Sequence, residues 1–258
     1  MDVEDPLSLD QVASVVGVHY QTVYRWVRSG HLQATKIHGK YFVQQSDLVE
    51  LQERSSKPAP PPPPSKARLK RHSAAMTKAL LEGDETAAQQ ITRQLISNGT
   101  TATAFISSVL VPPLVYLGQA WHDGELEIYV EHRASAMVER ILGSLSPNPR
   151  GRRRGTVVVA APSGEHHSLP TSMATAALRE DLWEVHHLGA DTPSEQLLAF
   201  VDHHPVDLVV ICTTSTQSVS SAYAAKTALE SGPGIPTLIG APGGSLSQLQ
   251  QDARASLK

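Results

Sequence analysis

Twelve of the 258 residues are histidine, and six of these stand in adjacent pairs: His166-His167, His186-His187 and His203-His204. Neutral imidazole ligates zinc, nickel, cobalt and iron, so each pair is a candidate metal donor. His186 and His187 lie in EVHHL, which reads as a strand. Neighbouring strand residues point to opposite faces, so these two cannot share one ion. His203 and His204 close a helical segment, where a cation suits the dipole. His167 is different. It lies in PSGEHHSLP (162–170), directly after the apolar run TVVVAA (156–161), with a carboxylate two residues before it at Glu165. A nearby carboxylate can orient the second ring nitrogen of a ligating histidine. Cys212, the single cysteine, sits in the buried run DLVVIC and reads as a small core residue.

Two further groups could do chemistry. His132 stands four residues after Ile128, at the edge of an apolar helical stripe, where a buried ring needs a partner. The short turn HDGELE brings its helix back beside Trp121, so Trp121, Ile128, Glu131 and His132 should gather at one end of a bundle. Residues 18–42 carry Arg25, Arg28, Lys36 and Lys40 and no acid, inside a chain whose 22 basic and 25 acidic residues give a net charge of −3. That charge offers no global field for nucleic acid, only this local one.

The elements around these groups follow from pattern. SSKPAPPPPPS (55–65) reads as an extended spacer, and SLSPNPRGRRRG (144–155) as a solvated linker with exposed arginines. They divide the chain into residues 1–54, a linker 55–66, 67–148 and 149–258. The fold class is multidomain: an all-α winged helix–turn–helix, a four-helix bundle, and an α/β Rossmann-like (flavodoxin-like) domain with a parallel sheet.

In the first unit Ser8 and Gln11 form a capping box, and Val12, Val15 and Val16 give the helix its buried side. Gly17 ends it, and Tyr20 to Arg28 form a second helix. Thr35 to Phe42 is a hairpin with Gly39 at its tip, and Ser46 caps a last helix. A helix–turn–helix would present Tyr20, Gln21, Thr22, Tyr24, Arg25 and Arg28 to base edges, and the hairpin's Lys36, His38 and Lys40 to phosphates.

Helical spacing at Ala88/Ile91/Leu95, Leu114/Leu117/Trp121 and Ile128/Val138/Leu142 gives the bundle, with a further helix over 67–81. Strands at 156–161, 184–188, 207–212 and 236–240 alternate with helices at 171–179, 194–203 and 218–230. Ligands on such sheets bind at the carboxyl ends of strands, near the switch in strand order. That rim carries Glu165, His166, His167 and Leu169 after the first strand and Gly189 after the second. Thr213, Ser215 and Thr216 follow the third, and Gly240, Gly243 and Gly244 the fourth. No G-x-G-x-x-G follows the first strand, which argues against a nicotinamide cofactor. The acidic start MDVED has no apolar signal region, and the longest apolar stretch, Val109 to Leu117, is broken by Pro112-Pro113. A cytoplasmic protein without a membrane partner is expected.

SLDQVASVVGVHYQTVYRWVRSGHLQATKIHGKYF resembles the winged helix of MerR-like and excisionase-like regulators. GEHHSLPTSMATAALREDLWEVHHLGADTP, then TTSTQS, then IGAPGG, resembles the cobalamin-binding domain with its D-x-H-x-x-G motif, serine motif and paired glycines. Trp121, nine residues, then Glu131-His132 resembles the W-x(9)-E-H signature of the CarH/LitR light-sensing repressors, whose domain order covers essentially the whole chain. This chain departs from the cobalamin motif by Glu165 in place of Asp and Pro170 in place of Gly. It also ends at Lys258, soon after the fourth strand, where the family has a fifth strand and a closing helix, so the sheet edge is expected to be incomplete.

The resemblance implies adenosylcobalamin as cofactor, with His167 ligating cobalt from below. Ser215, Gly243 and Gly244 would line a tunnel for the displaced nucleotide tail. Trp121, Ile128, Glu131 and His132 would stand over the upper face, His132 as an upper ligand after light. It further implies a dark-state homo-oligomer, a tetramer, that holds operator DNA and releases it on illumination, without enzymatic activity. A cobalamin or tetrapyrrole sensor without photochemistry, and a methyl-carrying corrinoid protein, are the alternatives.

Overall fold

In the computed structural model, residues 6–30, 32–37, 39–56, 65–145, 147–149 and 151–257 are described. The chain forms two units, one through Pro61 and one from Pro62. His38 and most of the proline-rich spacer lie outside the described residues.

The first unit runs β1 (Leu7–Ser8), α1 (Leu9–Val16), α2 (Tyr20–Arg28), β2 (Thr35–Ile37), β3 (Lys40–Val43) and α3 (Gln45–Ser56). The Ser8–Gln11 capping box is present, and Gly17 ends α1 in the left-handed conformation at φ +72°. The strands form one antiparallel sheet in the order β1-β3-β2, so the hairpin is anchored by a third strand from before α1. Leu9, Val12, Ala13 and Val16 make the inward stripe of α1, packed on Val23, Leu32, Val43 and Leu48. Val15 was expected in that stripe but is exposed, because it lies about 110° around the helix from the stripe's centre. Ser46 does not cap α3: the helix begins at Gln45, and the Gln44 carbonyl accepts from the amides of Asp47 and Leu48.

The second unit begins with four antiparallel helices. They are α4 (Lys66–Glu82), α5 (Glu85–Ser97), a long composite of α6 (Ala102–Phe105), a π-helical turn (Ile106–Leu110) and α7 (Val111–His122), and α8 (Ile128–Leu145). The π turn precedes Pro112 and Pro113, which cannot donate to the preceding turn and whose rings crowd its carbonyls. By length and composition Ala102–His122 could cross a bilayer; here Phe105, Ile106, Val109, Leu110 and Leu117 are the centre of the bundle core.

The sheet follows as β4 (Thr156–Pro162), α9 (Leu169–Glu180), β5 (Glu184–Thr192), α10 (Ser194–His203), β6 (Leu208–Cys212), α11 (Val219–Ser231), β7 (Thr237–Gly240) and α12 (Leu246–Ala255). All four strands are parallel, in the order β5-β4-β6-β7, so the switch point lies between β4 and β6. Val157, Val159, Leu208 and Val210 face α9 and α12. Val158, Ala160, Val209 and Ile211 face α10 and α11. The expected incomplete edge is corrected in part: α12 is the closing helix, and Arg254 pairs with Asp181 through its guanidinium.

The outer side of α9 packs on the bundle, where Leu169, Met173 and Ala176 join its core. Residues 147–149 and 151–154 are largely exposed, as composition suggests, but they are tied to the sheet domain. Asn148 bonds the Val185 amide at 2.9 Å, Arg153 pairs with Glu184, and Arg154 Nε donates to the Asp181 carbonyl at 2.7 Å. At the same end of α9, the Glu180 carboxylate accepts from the amides of Ala102 and Thr103 and so caps the composite helix. Glu180→Ala removes the acceptor of two amides there, so it should cost about 1–2 kcal/mol in urea or thermal unfolding. Glu180→Gln should cost less.

Candidate functional site

Glu165 is the centre of the rim. It is 1% exposed, on the loop between β4 and α9. Its Oε2 accepts from the amides of Thr214 (2.6 Å) and Ser215 (2.9 Å), just after β6, and from the Ser218 hydroxyl (2.9 Å). Its Oε1 accepts from the His167 amide (3.2 Å) and lies 2.5 Å from His167 Nδ1. Burial alone would raise this carboxyl's pKa. The hydrogen bonds from the Thr214 amide, the His167 ring, and the amides of Ser215 and His167 outweigh it and hold the group ionised, well below the usual carboxylate range. The carboxylate thus ties the loops after β4 and β6 together across the switch point.

His167 is held by one nitrogen and free at the other. Nδ1 is shared between Glu165 and the Thr214 hydroxyl (3.0 Å), while no described residue bonds Nε2, and the side chain is 70% exposed. An Nδ1–H donated to a carboxylate leaves Nε2 as a fixed, basic lone pair. Ser218 stands at the N-terminus of α11 without capping it; its hydroxyl serves Glu165 instead. Ser168 likewise stands at the start of α9 and gives its hydroxyl to Glu139 of α8. Pro170 takes the second position of α9, where no intrahelical acceptor is lost.

The Ser168–Glu139 contact fixes the height of the bundle. α8 and α9 run side by side from there to Asn148, which meets Arg179. The eleven residues from Glu139 back to Ile128 rise about 16 Å beyond the start of α9. By helical spacing Ile128, His132 and Ser135 share the α8 face of Glu139, with Glu131 at its edge. Trp121 lies one residue before the end of α7. The expected partial burial of His132 is corrected: it is 69% exposed, Trp121 is 46% exposed, and Ile128 is exposed too. None of the four contacts His167. Glu131 accepts from Ser135 Oγ at 2.7 Å.

Other expected residues divide. Thr213 is buried in the loop after β6, bonded to Ser218, and its amide donates to the Gly240 carbonyl at 2.9 Å. Ser215 gives its amide to Glu165 and its hydroxyl to Ser218 at 3.0 Å. Gly189 and Gly243 have positive φ, +85° and +75°, and a Cβ on Gly244 would press on the Ala241 carbonyl at 3.0 Å. His166 and Thr216 are exposed. Leu169 does not face the rim but packs into the bundle core. His186 stacks on His204 and meets Phe200 at a tilt, while His187 bonds Thr171 on the opposite side of β5. Among the described residues, no three His, Cys, Asp or Glu side chains gather into a metal site. Cys212 is buried, its thiol pushed up to about 12 by burial and the nearby Glu165 charge, so it is inert.

Sequence reasoning missed Ser218, Thr214 and Asp191. The first two lie in TTSTQS beside the expected Thr213, Ser215 and Thr216; Asp191 showed only as an acid two residues after Gly189. Asp191 Oδ1 accepts from the Gly164 amide at 2.8 Å, and its own amide donates to the Glu165 carbonyl at 2.9 Å.

In the first unit Gln21, Tyr24, Arg25 and Arg28 are exposed on α2, as are Lys36 and Lys40 on the wing; Tyr20 is exposed and Thr22 half-buried. Tyr20 stacks on Tyr24, Tyr24 meets Tyr41 edge-on, and Lys36 lies over the Tyr41 ring at 5.7 Å. This chain of contacts ties the wing to α2. Lys36→Ala should lower the salt dependence of duplex binding by about one counterion and weaken all sequences alike, as measured by fluorescence anisotropy.

One donor nitrogen on a rigid arm, with no second protein ligand nearby, suits a metal that brings its other ligands in a macrocycle. The exposed Trp121 and Ile128 and the bare glycine loops suit a large planar group. Comparison with known proteins agrees. Residues 6–56 match a helix-turn-helix domain, 73–146 a B12 binding domain, and 155–255 a second B12 binding domain model. The chain is similar to the HTH-type transcriptional repressors CarA (34% identity over 45% of this chain and 38% of that one) and CarH (33% over 43% and 37%) of Myxococcus xanthus. It is also similar to a methanol–corrinoid protein of Methanosarcina barkeri, at 27% identity over 67% of each chain. The chain spans about two fifths of the length of the two repressors. The monomethylamine corrinoid protein of Methanosarcina barkeri shares the fold, with a TM-score of 0.54 at 14% identity over 68% of this chain and 86% of that one. The chain is therefore a helix-turn-helix protein with B12-binding domains, homologous over the matched stretches to the CarA and CarH repressors.

Proposed function

We propose that this chain is a DNA-binding transcriptional repressor, not an enzyme, that senses adenosylcobalamin and responds to light. The observation that carries it is a single imidazole, His167, held at Nδ1 by Glu165 and Thr214 with no described residue on Nε2, exposed on the carboxyl edge of the sheet. His167 would hold cobalt from below, with Glu165 and Thr214 fixing the ring, and Ser215, Gly243 and Gly244 would leave passage for the nucleotide tail. Trp121 and Ile128 would cover the upper ligand and exclude water, Glu131 would hydrogen-bond it, and His132 is the imidazole available on that upper side. Bound adenosylcobalamin supplies a cobalt–carbon bond that visible light breaks.

The two-state element is the bundle end, whose exposed Trp121 and Ile128 gain a partner only when the gap is filled. The filled form would assemble as a tetramer and bind an operator through several winged helices at once, with α2 reading bases. Loss of assembly lowers affinity through effective concentration. The corrinoid carriers share the fold, but a helix-turn-helix domain at 6–56 favours regulation over methyl transfer.

The test is an absorption spectrum and gel filtration of protein loaded with adenosylcobalamin in darkness, then after green light. The expected result is a light-induced spectral change, a fall in size, and release of a duplex selected from a random pool. Cofactor uptake and DNA control without any light effect would instead identify a cobalamin sensor lacking photochemistry. Absence of uptake would overturn the reading.

A further inference from the structure

Only two non-glycine residues among those described have positive φ, and one of them is Asp191, at +51°. Such backbone is uncommon for any side chain other than Asn or Asp, and a residue held there is held by its surroundings. Asp191 lies at the carboxyl end of β5, where the pairing with β4 slips twice, between Val159 and Ala160 and again before Pro162. The regular ladder is thus lost where the turn bearing His167 begins. Two bonds replace it: the Gly164 amide to Asp191 Oδ1, and the Asp191 amide to the Glu165 carbonyl. Gly164 is itself at φ +84° and exposed, so nothing packed on its surface holds the turn.

We propose that Asp191 is a positioning residue for His167, clamping the 163–165 turn from the β5 side while the Glu165 carboxylate clamps it from the β6 side. The inference rests on the functional reading above, since it assigns the clamp to the height and tilt at which Nε2 meets a metal. Glu165 alone fixes the ring's second nitrogen but is itself carried on the turn. Without Asp191 the turn could pivot about Pro162, carrying carboxylate and imidazole together and loosening the bonds to Thr214 and Ser215.

The test compares Asp191→Asn, Asp191→Ala and Asp191→Gly in the full chain. Asn keeps the Oδ1 acceptor and tolerates the left-handed backbone. Ala loses the acceptor and strains the backbone; Gly loses the acceptor and relieves the strain. In the cofactor-free protein, hydrogen exchange at the Gly164 amide should quicken in the Ala and Gly variants and stay slow in Asn. With adenosylcobalamin, Ala and Gly should bind about tenfold more weakly, and their absorption spectra should show part of the bound cofactor without its lower nitrogen ligand. Asn should match the wild type. Gly should lose affinity although its melting temperature holds, which a merely structural role would not produce. Wild-type affinity, spectra and Gly164 exchange in both Ala and Gly would overturn the proposal while leaving the functional reading intact. A wild type that takes up no cofactor would overturn both.

Discussion

Replacing His167 with alanine should weaken adenosylcobalamin binding by about a hundredfold or more while leaving the melting temperature of the cofactor-free protein within about a degree of wild type. The first part follows from the donor count. No cluster of three or more candidate ligands exists among the described residues, so no ready-made ligand set stands by to replace His167. Changing an outer partner of a metal ligand costs about 10–100-fold, and removing the ligand itself should cost at least as much. The second part follows from exposure: a ring 70% open to solvent contributes little packing. Equilibrium dialysis gives the first quantity and scanning calorimetry the second. In the cobalt(II) form, labelling the wild type with nitrogen-15 histidine should change the electron paramagnetic resonance splitting from the lower ligand. An unlabelled pattern would place some other nitrogen, such as the cofactor's own base, beneath the metal.

His167 was legible because a strand, a turn and a helix can be read from TVVVAA, PSG and the helical run after Pro170, which puts the histidine on the sheet rim without any coordinates. Glu165 was legible as its neighbour. What the carboxylate does was not. Three of its donors come from residues about fifty positions away, and only the strand order β5-β4-β6-β7 brings the loop after β6 beside the loop after β4.

The same limit explains Asp191, whose value lies in a left-handed backbone and a slipped register that no local pattern announces. His132 was read at the edge of a buried stripe because Ile128 and Val138 were taken together as core. α8 is buried along one side over its whole length, from Val130 and Ala134 to Ile141 and Leu142, and Ile128 and His132 lie off that side. The linker arginines read as solvent-facing from composition, and Arg153 and Arg154 are exposed, but only the fold shows that they pair with Glu184 and Asp181. Periodicity gives which residues make an element; which loops meet is decided by topology.

Glu165→Ala should be the most damaging single change near the site, lowering unfolding free energy by about 3–5 kcal/mol in urea titration. The side chain removed is almost wholly buried, and its loss leaves the amides of Thr214 and Ser215 and the Ser218 hydroxyl without their acceptor. Each unsatisfied buried donor costs about 1–3 kcal/mol, reduced where water can enter through the open rim. Glu165→Gln separates shape from charge. Its single carbonyl oxygen can satisfy part of the set, but its NH2 faces donors on the other side, so the variant should lie between wild type and Ala.

The pH dependence gives the sign. The folded carboxyl is held below its unfolded value of 4.5, so the unfolded chain binds the proton more readily than the folded one. The stability this supplies is complete above the unfolded value and is lost as pH falls from there towards the folded one. The melting-temperature gap between wild type and Glu165→Gln should therefore be constant from pH 8 to about 5.5 and shrink steadily below about 4.5. A gap that widens in acid would mean that the buried carboxyl is protonated at neutral pH. His167 Nδ1 would then lack the anion that holds its ring, and a fixed Nε2 donor would lose its physical basis.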